Sequence, residues 1–125
     1  MILPSQSRIR RSTEFSLAVR SGSRAGRPTI VGHLLVDPDR SGDPPKIGFV
    51  VSRAVGSAVV RNRVRRRLRE LMRGYLQSLP GGSLLVVRAN PMAARVDQSD
   101  LAADLGLVIS KLLRRQVGTG AGNAR

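Results

Sequence analysis

The amino-acid sequence predicts an α+β fold, a mixed α/β sandwich in which one central sheet of three to four strands carries three helices. Three observations predict it. Apolar residues recur at helical spacing in three segments and as strand-like alternation or short apolar runs in three others. The segments follow one another as helix, strand, strand, helix, strand, helix, or α-β-β-(β)-α-β-α if a further short strand lies before the long helix. The 125 residues are 41% hydrophobic, enough for one core of ordinary size. One sheet with helices packed on it satisfies this order, the strand before the long helix pairing in parallel with the strand after it.

Each element has a local cause. Residues 1–11 form a short basic arm. Ser12 is the expected N-cap, with Glu14 in the first turn, where the helix dipole favours an anion. Phe15, Ala18 and Val19 then share one face, and Gly22 ends the helix. A Gly/Arg/Ser stretch leads into a strand-like run over 29–36. Residues 37–45 are dense in Asp, Pro and Gly and read as a hairpin loop to a second strand over 46–52, in which Ile47, Phe49 and Val51 alternate to one face. After Gly56 and Ser57, the residues Val60, Val64, Leu68, Leu71, Met72, Tyr75, Leu76 and Leu79 keep helical spacing until Pro80, Gly81 and Gly82 stop the run. Residues 83–88 read as a buried strand. Asp97 or Ser99 caps a last helix whose apolar stripe is Leu101, Leu105, Val108, Ile109 and Leu112. The reading gives one domain over 1–116 and a tail over 117–125 too poor in apolar residues to fold.

Composition excludes several kinds of chemistry. There is no cysteine, hence no disulfide framework, thiolate-ligated zinc or thiol nucleophile. The one histidine, His33, cannot form a histidine metal cluster, and eight scattered acids leave little for a paired-carboxylate enzyme. A protein-only nuclease would need an acid cluster. Asp37, Asp39 and Asp43 sit instead in a Pro/Gly turn, and Asp97, Asp100 and Asp104 fit a helix N-terminus. The first eleven residues hold only Ile2, Leu3 and Ile9 as large apolar groups, and no run approaches the roughly 18 apolar residues of a spanning helix. The expected location is the cytoplasm, with no membrane partner.

Charge points to a polyanion. The net charge is +14, and twenty of the 22 cations are arginine, whose planar fork suits phosphate and base edges. Eight arginines (53, 61, 63, 65, 66, 67, 69 and 73) and one acid, Glu70, fall between positions 53 and 73. On a helix, Asn62, Arg66, Arg69 and Arg73 line up opposite Val64, Leu68, Leu71 and Tyr75. Arg63 and Arg67 flank that ridge on one side, Arg61 and Arg65 on the other. Like charges at this spacing repel by about 0.2–0.5 kcal/mol per pair unless something neutralises them. Phosphates would do so.

The stretch KIGFVVSRAVGSAVVRNRVRRRLRE over 46–70 resembles the signature of the bacterial ribonuclease P protein subunit. Gly48, Val51, Ser52, Arg53, Gly56, Ala58, Val59, Arg61, Asn62, Arg63, Arg65, Arg66, Arg69 and Glu70 all match that family's pattern, and Arg8, Arg10, Arg11 and Phe15 resemble its opening. The resemblance spans roughly residues 8–116. It implies a protein cofactor of a catalytic RNA, the two together removing the 5′ leader of precursor tRNA. Mg²⁺ would be held by the RNA and its substrate, and one protein would bind one RNA. It further implies that Arg61, Asn62, Arg63, Arg65, Arg66 and Arg69 meet the RNA, with Arg53 and Arg73 extending the set. A cleft beside the first helix would take the single-stranded leader, with Phe15, Val19, His33 and Val51 as its lining. A left-handed β-α-β crossover through the arginine-rich helix is implied as well. The chain departs from the family in carrying Val19 where a second aromatic is common and Ala54 where a second cation is common. The family has four strands. The fourth would come from 24–28 or from splitting 29–36. A ribosomal or RNA-chaperone type of RNA-binding protein is the alternative compatible with the charge.

Overall fold

The computed structural model describes residues 7–123, with side chains through residue 116. In chain order the elements are α1 (Ser12–Ser21), β1 (Ser23–Gly26), β2 (Ile30–Val36), β3 (Lys46–Val50), α2 (Ala58–Met72), β4 (Ser83–Ala89) and α3 (Gln98–Asn123), with short 3-10 turns between several of them. The strands form one mixed sheet in the order β1-β2-β4-β3. β4 pairs antiparallel with β2 and parallel with β3, so α2 is the crossover of a parallel pair.

This order corrects one expectation. Residues 37–45 do not close a hairpin, because β4 lies between β2 and β3. The hairpin is β1–β2, turned by Arg27, Pro28 and Thr29, and β1 is the fourth strand. The 37–45 segment is instead a turn held by its own side chains. Asp37 Oδ1 accepts from the Asp39 N–H (3.0 Å), and Asp43 accepts from Arg40 Nε (2.8 Å).

Alternation along the strands divides the core into two layers. On one face, Ile30, Leu34, Leu85, Val87, Ala89 and Ile47 pack with Val64, Leu68 and Met72 of α2 and with Leu101, Leu105, Val108, Ile109 and Leu112 of α3. On the other face, Leu84 and Val86 pack with Ala18 of α1 and with Ile9. The arm is therefore anchored where it is described, Ile9 donating its N–H to Ile47 O (3.0 Å). Residues 1–6 and 124–125 lie outside the described residues. The backbone of the segment read as a tail continues α3 to Asn123, its side chains likewise undescribed.

Caps follow the expected chemistry at two of three starts. Ser57 accepts from the Val60 N–H to open α2, and Asp97 accepts from the Asp100 N–H (2.9 Å) to open α3. At α1 the cap position is Arg11, with no side-chain cap, and Ser12 is the first helical residue. Glu14 also finds a tertiary partner, an ion pair with Lys46 (3.2 Å) that ties α1 to the start of β3. α2 ends at Met72, and Arg73–Ser78 tighten into a 3-10 turn that keeps Tyr75 and Leu76 against the core.

Candidate nucleic-acid interface

α2 buries Val64, Leu68 and Met72 at i, i+4, i+8 and turns the rest of its surface outward. Asn62, Arg63, Arg66 and Arg73 are exposed, and Arg61, Arg65 and Arg69 are half-buried. Arg53, in the 3-10 turn before the helix, is exposed too. The eight proposed contact residues thus run the length of α2, about 22 Å for 15 residues. Among the described residues no carboxylate forms an ion pair with any of them. Arg61 buries its Nε with no acceptor in the protein.

Arg67 is the exception on this helix. Its guanidinium donates to Val96 O (2.8 Å), Ala93 O (3.3 Å) and Gln98 Oε1 (2.8 Å), and Gln98 Nε2 donates back to Arg67 O (3.4 Å). It therefore does not flank the outer ridge. It locks α2 to the turn that precedes α3.

A groove opens on the other face of the sheet, beside α1. It is lined by Ser12, Phe15, Ser16, Val19 and Arg20 of the helix and by Val50 and Arg88 of the strands. The pairing explains its floor. Val50 sits opposite Arg88, and Arg88 opposite Val31, so these side chains form one row across β3, β4 and β2. The next row is Gly48, Val86, His33 and Arg24. The Phe15 ring rests on Gly48. A Cβ at position 48 would stand 2.4 Å from Phe15 Cε1 and Cζ, so only glycine admits the ring.

Two of the four expected groove residues, Phe15 and Val19, line this groove. Val51 does not. It is buried in the α2/α3 core with Ile47 and Phe49, because the alternation that groups these three sends them all to the opposite face. Val50 takes the place expected for Val51. His33 shares the groove's face of the sheet but is buried under it, 7% exposed, with its Nδ1 unpartnered. Burial, with Arg24 and Arg88 close by, pushes the imidazole below its ordinary value and keeps it neutral at neutral pH. The groove residues not anticipated from sequence are Ser12, Thr13, Ser16, Arg20, Val50 and Arg88. Only Val50 carried a signal, as the neighbour of Val51 in a period-two strand.

The two surfaces meet at one side chain. Phe15 lines the groove and also a second hollow with Arg8, Ile9, Ile47, Gly48, Phe49, Arg65 and Arg69. The arginine face of α2 and the groove are therefore continuous around the edge of β3. No three acidic or histidine side chains among the described residues converge as a metal-holding group, and no described helix is long and apolar enough to cross a membrane.

Fold and site together define a small, strongly basic α+β protein whose cationic helix adjoins a groove with an aromatic wall. A model of the ribonuclease P family matches residues 3–113. The chain is 52% identical over 118 residues to the ribonuclease P protein component of Streptomyces avermitilis, covering 90% of this chain and 96% of that one. It is likewise 52% identical over 104 residues to that of a Nocardioides species, with coverages of 83% and 89%. Among solved structures, the RNase P protein of Staphylococcus aureus superposes with a TM-score of 0.73 at 22% identity, over 85% of this chain and 96% of that one. The RNase P protein of Thermotoga maritima superposes with a TM-score of 0.68 at 25% identity, over 86% and 96%. This chain belongs to the ribonuclease P protein family.

Proposed function

We propose that this chain acts in the cytoplasm as the protein cofactor of ribonuclease P, binding the catalytic RNA through α2 and the 5′ leader of precursor tRNA through the groove beside α1. The observation that carries the reading is the junction at Phe15, where the arginine face and the groove share a wall. A protein that must hold a folded RNA and an adjoining single strand needs a cationic surface running into a groove with a stacking platform. In this reading Arg53, Arg61, Arg63, Arg65, Arg66, Arg69 and Arg73 receive the phosphates of the RNA, and Asn62 contacts the RNA as a neutral hydrogen-bonding group. Each phosphate contact releases counterions and steepens the salt dependence of log K by about 0.7–0.9. Phe15 stacks a leader base, a contact worth about 1–3 kcal/mol. Val19 and Val50 offer aliphatic walls, and Arg20 and Arg88 can follow the leader's backbone.

The protein cleaves nothing by itself. Mg²⁺, held by the RNA and its substrate, would supply Lewis-acid chemistry and charge neutralisation for phosphodiester hydrolysis. The contribution of α2 is to screen phosphate repulsion around that centre. One protein serves one RNA.

The test is precursor tRNA cleavage at low Mg²⁺ with protein alone, RNA alone and the mixture. The expected outcome is cleavage only in the mixture, with the Mg²⁺ requirement of the RNA lowered. Cleavage by the protein alone, or an unchanged Mg²⁺ requirement, overturns the reading.

A further inference from the structure

Near the N-terminal end of α2, Val59 is 74% exposed, the most exposed large hydrophobic side chain among the described residues. It adjoins the cationic surface. Val59, Asn62, Arg63 and Arg66 follow one another at i, i+3, i+4 and i+7, and together they line one shallow hollow. A β-branched apolar residue gains nothing there for the helix, since valine is a poorer helix former than alanine. It does nothing for the core either, which α2 meets through Val64, Leu68 and Met72.

The polar members of the hollow are arranged for an asymmetric ligand. Asn62 Oδ1 is occupied, accepting from Arg65 Nη1 (3.1 Å). That fixes the amide and leaves its NH₂ group as the outward donor. Arg63 and Arg66 are exposed and form no ion pair with a carboxylate among the described residues. The hollow therefore presents one apolar surface, one amide donor and two cations.

We propose that Val59, Asn62, Arg63 and Arg66 form a subsite for a single unpaired nucleotide of the RNA bound by α2. The base lies on Val59, an acceptor on its edge takes the Asn62 amide hydrogen, and its flanking phosphates meet Arg63 and Arg66. The inference rests on the reading that α2 binds RNA. It adds that this part of the helix recognises an unstacked base and does more than neutralise backbone charge. A continuous duplex would not use Val59, because its base faces are hidden in the stack and only phosphate and sugar reach the surface. An acidic protein would satisfy the arginines but has no need of the amide donor beside an apolar patch.

The test compares the full-length wild type with Val59→Ala, Asn62→Ala and Arg66→Ala. Affinity is measured across a salt series for two probes, the folded catalytic RNA of ribonuclease P and a blunt-ended duplex RNA. Removing two partly covered methyl groups should weaken binding of the folded RNA about three- to tenfold. The slope of log K against log salt should not change, because no phosphate contact is lost. Asn62→Ala should behave like Val59→Ala. Arg66→Ala should weaken binding and reduce the slope by about 0.7–0.9. On the duplex probe, Val59→Ala should match the wild type. Alanine in place of an exposed valine leaves the helix intact, so thermal unfolding should be unchanged or slightly improved.

The subsite is overturned if Val59→Ala binds the folded RNA like the wild type, weakens both probes equally, or changes the salt slope. Failure of the inference alone leaves Arg66→Ala still flattening the slope. If no arginine substitution on α2 affects RNA binding, the underlying reading fails with it.

Discussion

Gly48→Ala tests the seat of Phe15, on which the groove depends. The added methyl would lie 2.4 Å from Phe15 Cε1 and Cζ and 3.3 Å from Ile9 Cβ. Carbon atoms in contact prefer about 3.5–4.0 Å, so the ring must retreat by roughly 1 Å or more, or α1 must lift from the sheet. Overpacking of this kind costs about 1–3 kcal/mol. For a domain of this size each kcal/mol lowers Tm by about 4 °C or somewhat more. The groove should suffer as well, since a displaced ring forfeits part of a stacking contact worth about 1–3 kcal/mol. The diagnostic experiment is a double-mutant cycle by thermal unfolding with Gly48→Ala, Phe15→Ala and the pair. If the ring is what the methyl meets, Gly48→Ala should cost little once Phe15 is gone, giving a coupling of about 1 kcal/mol or more. Leader affinity supplies a second measure. Gly48→Ala should weaken binding of precursor tRNA carrying a leader more than binding of mature tRNA. Additive unfolding energies would refute the packing argument, and equal losses on both tRNAs would refute the role given to the groove.

Arg66→Ala combined with Arg69→Ala should weaken affinity for the catalytic RNA and flatten its salt slope by about 1.4–1.8, two phosphate contacts' worth. An unchanged slope in filter-binding titrations would remove these residues from the interface. Arg67→Met should do the reverse. It leaves Ala93 O and Val96 O without their donor and should destabilise the fold by about 1.5–3 kcal/mol in denaturant unfolding. The slope for RNA should stay at the wild-type value. His33 makes stability pH-dependent. Burial and the nearby Arg24 and Arg88 depress its folded value, so the unfolded chain binds the proton more readily. Stability is therefore lost as pH falls below the ordinary histidine value of about 6.5 and is unaffected above it. His33→Gln should remove that part of the acid-side decline in a pH series of unfolding midpoints. The same slope in variant and wild type would show that His33 is not the group.

The elements with strong local causes were legible without coordinates. α2 announces itself through the spacing of Val64, Leu68 and Met72 and the Ser57 cap, although it gives way to a 3-10 turn after Met72, short of the Pro80-Gly81-Gly82 stop. The buried stripe of α3 is the one its periodicity names. β1 was not legible in the same way. Its four residues, Ser23–Gly26, hold a single buried apolar side chain, and the strand exists because β2 pairs with it and because α3 reaches over it. Arg115 donates to Arg24 O, and Gln116 Nε2 donates to Ser23 Oγ (3.3 Å).

What the amino-acid order determines alone is periodicity, caps, breakers and charge, because these act over a few residues or over none. They are enough for three helices, most of the strands and an arginine-rich helix surface. The order of elements already suggests that β3 and β4 pair in parallel, but only the tertiary structure decides that β4 also pairs with β2, since β4 enters between β2 and β3 from far along the chain and no local turn encodes it. It also decides which of the two faces of β3 looks into the groove. A period of two groups Val51 with Ile47 and Phe49 but is silent on whether that group or Val50 and Gly48 meets α1. The arginines of α2 carry the same lesson. By helical spacing alone Arg67 only flanks the ridge that holds Arg66. Its role as a clamp comes from two backbone carbonyls and a glutamine that folding brings within 3.3 Å of it.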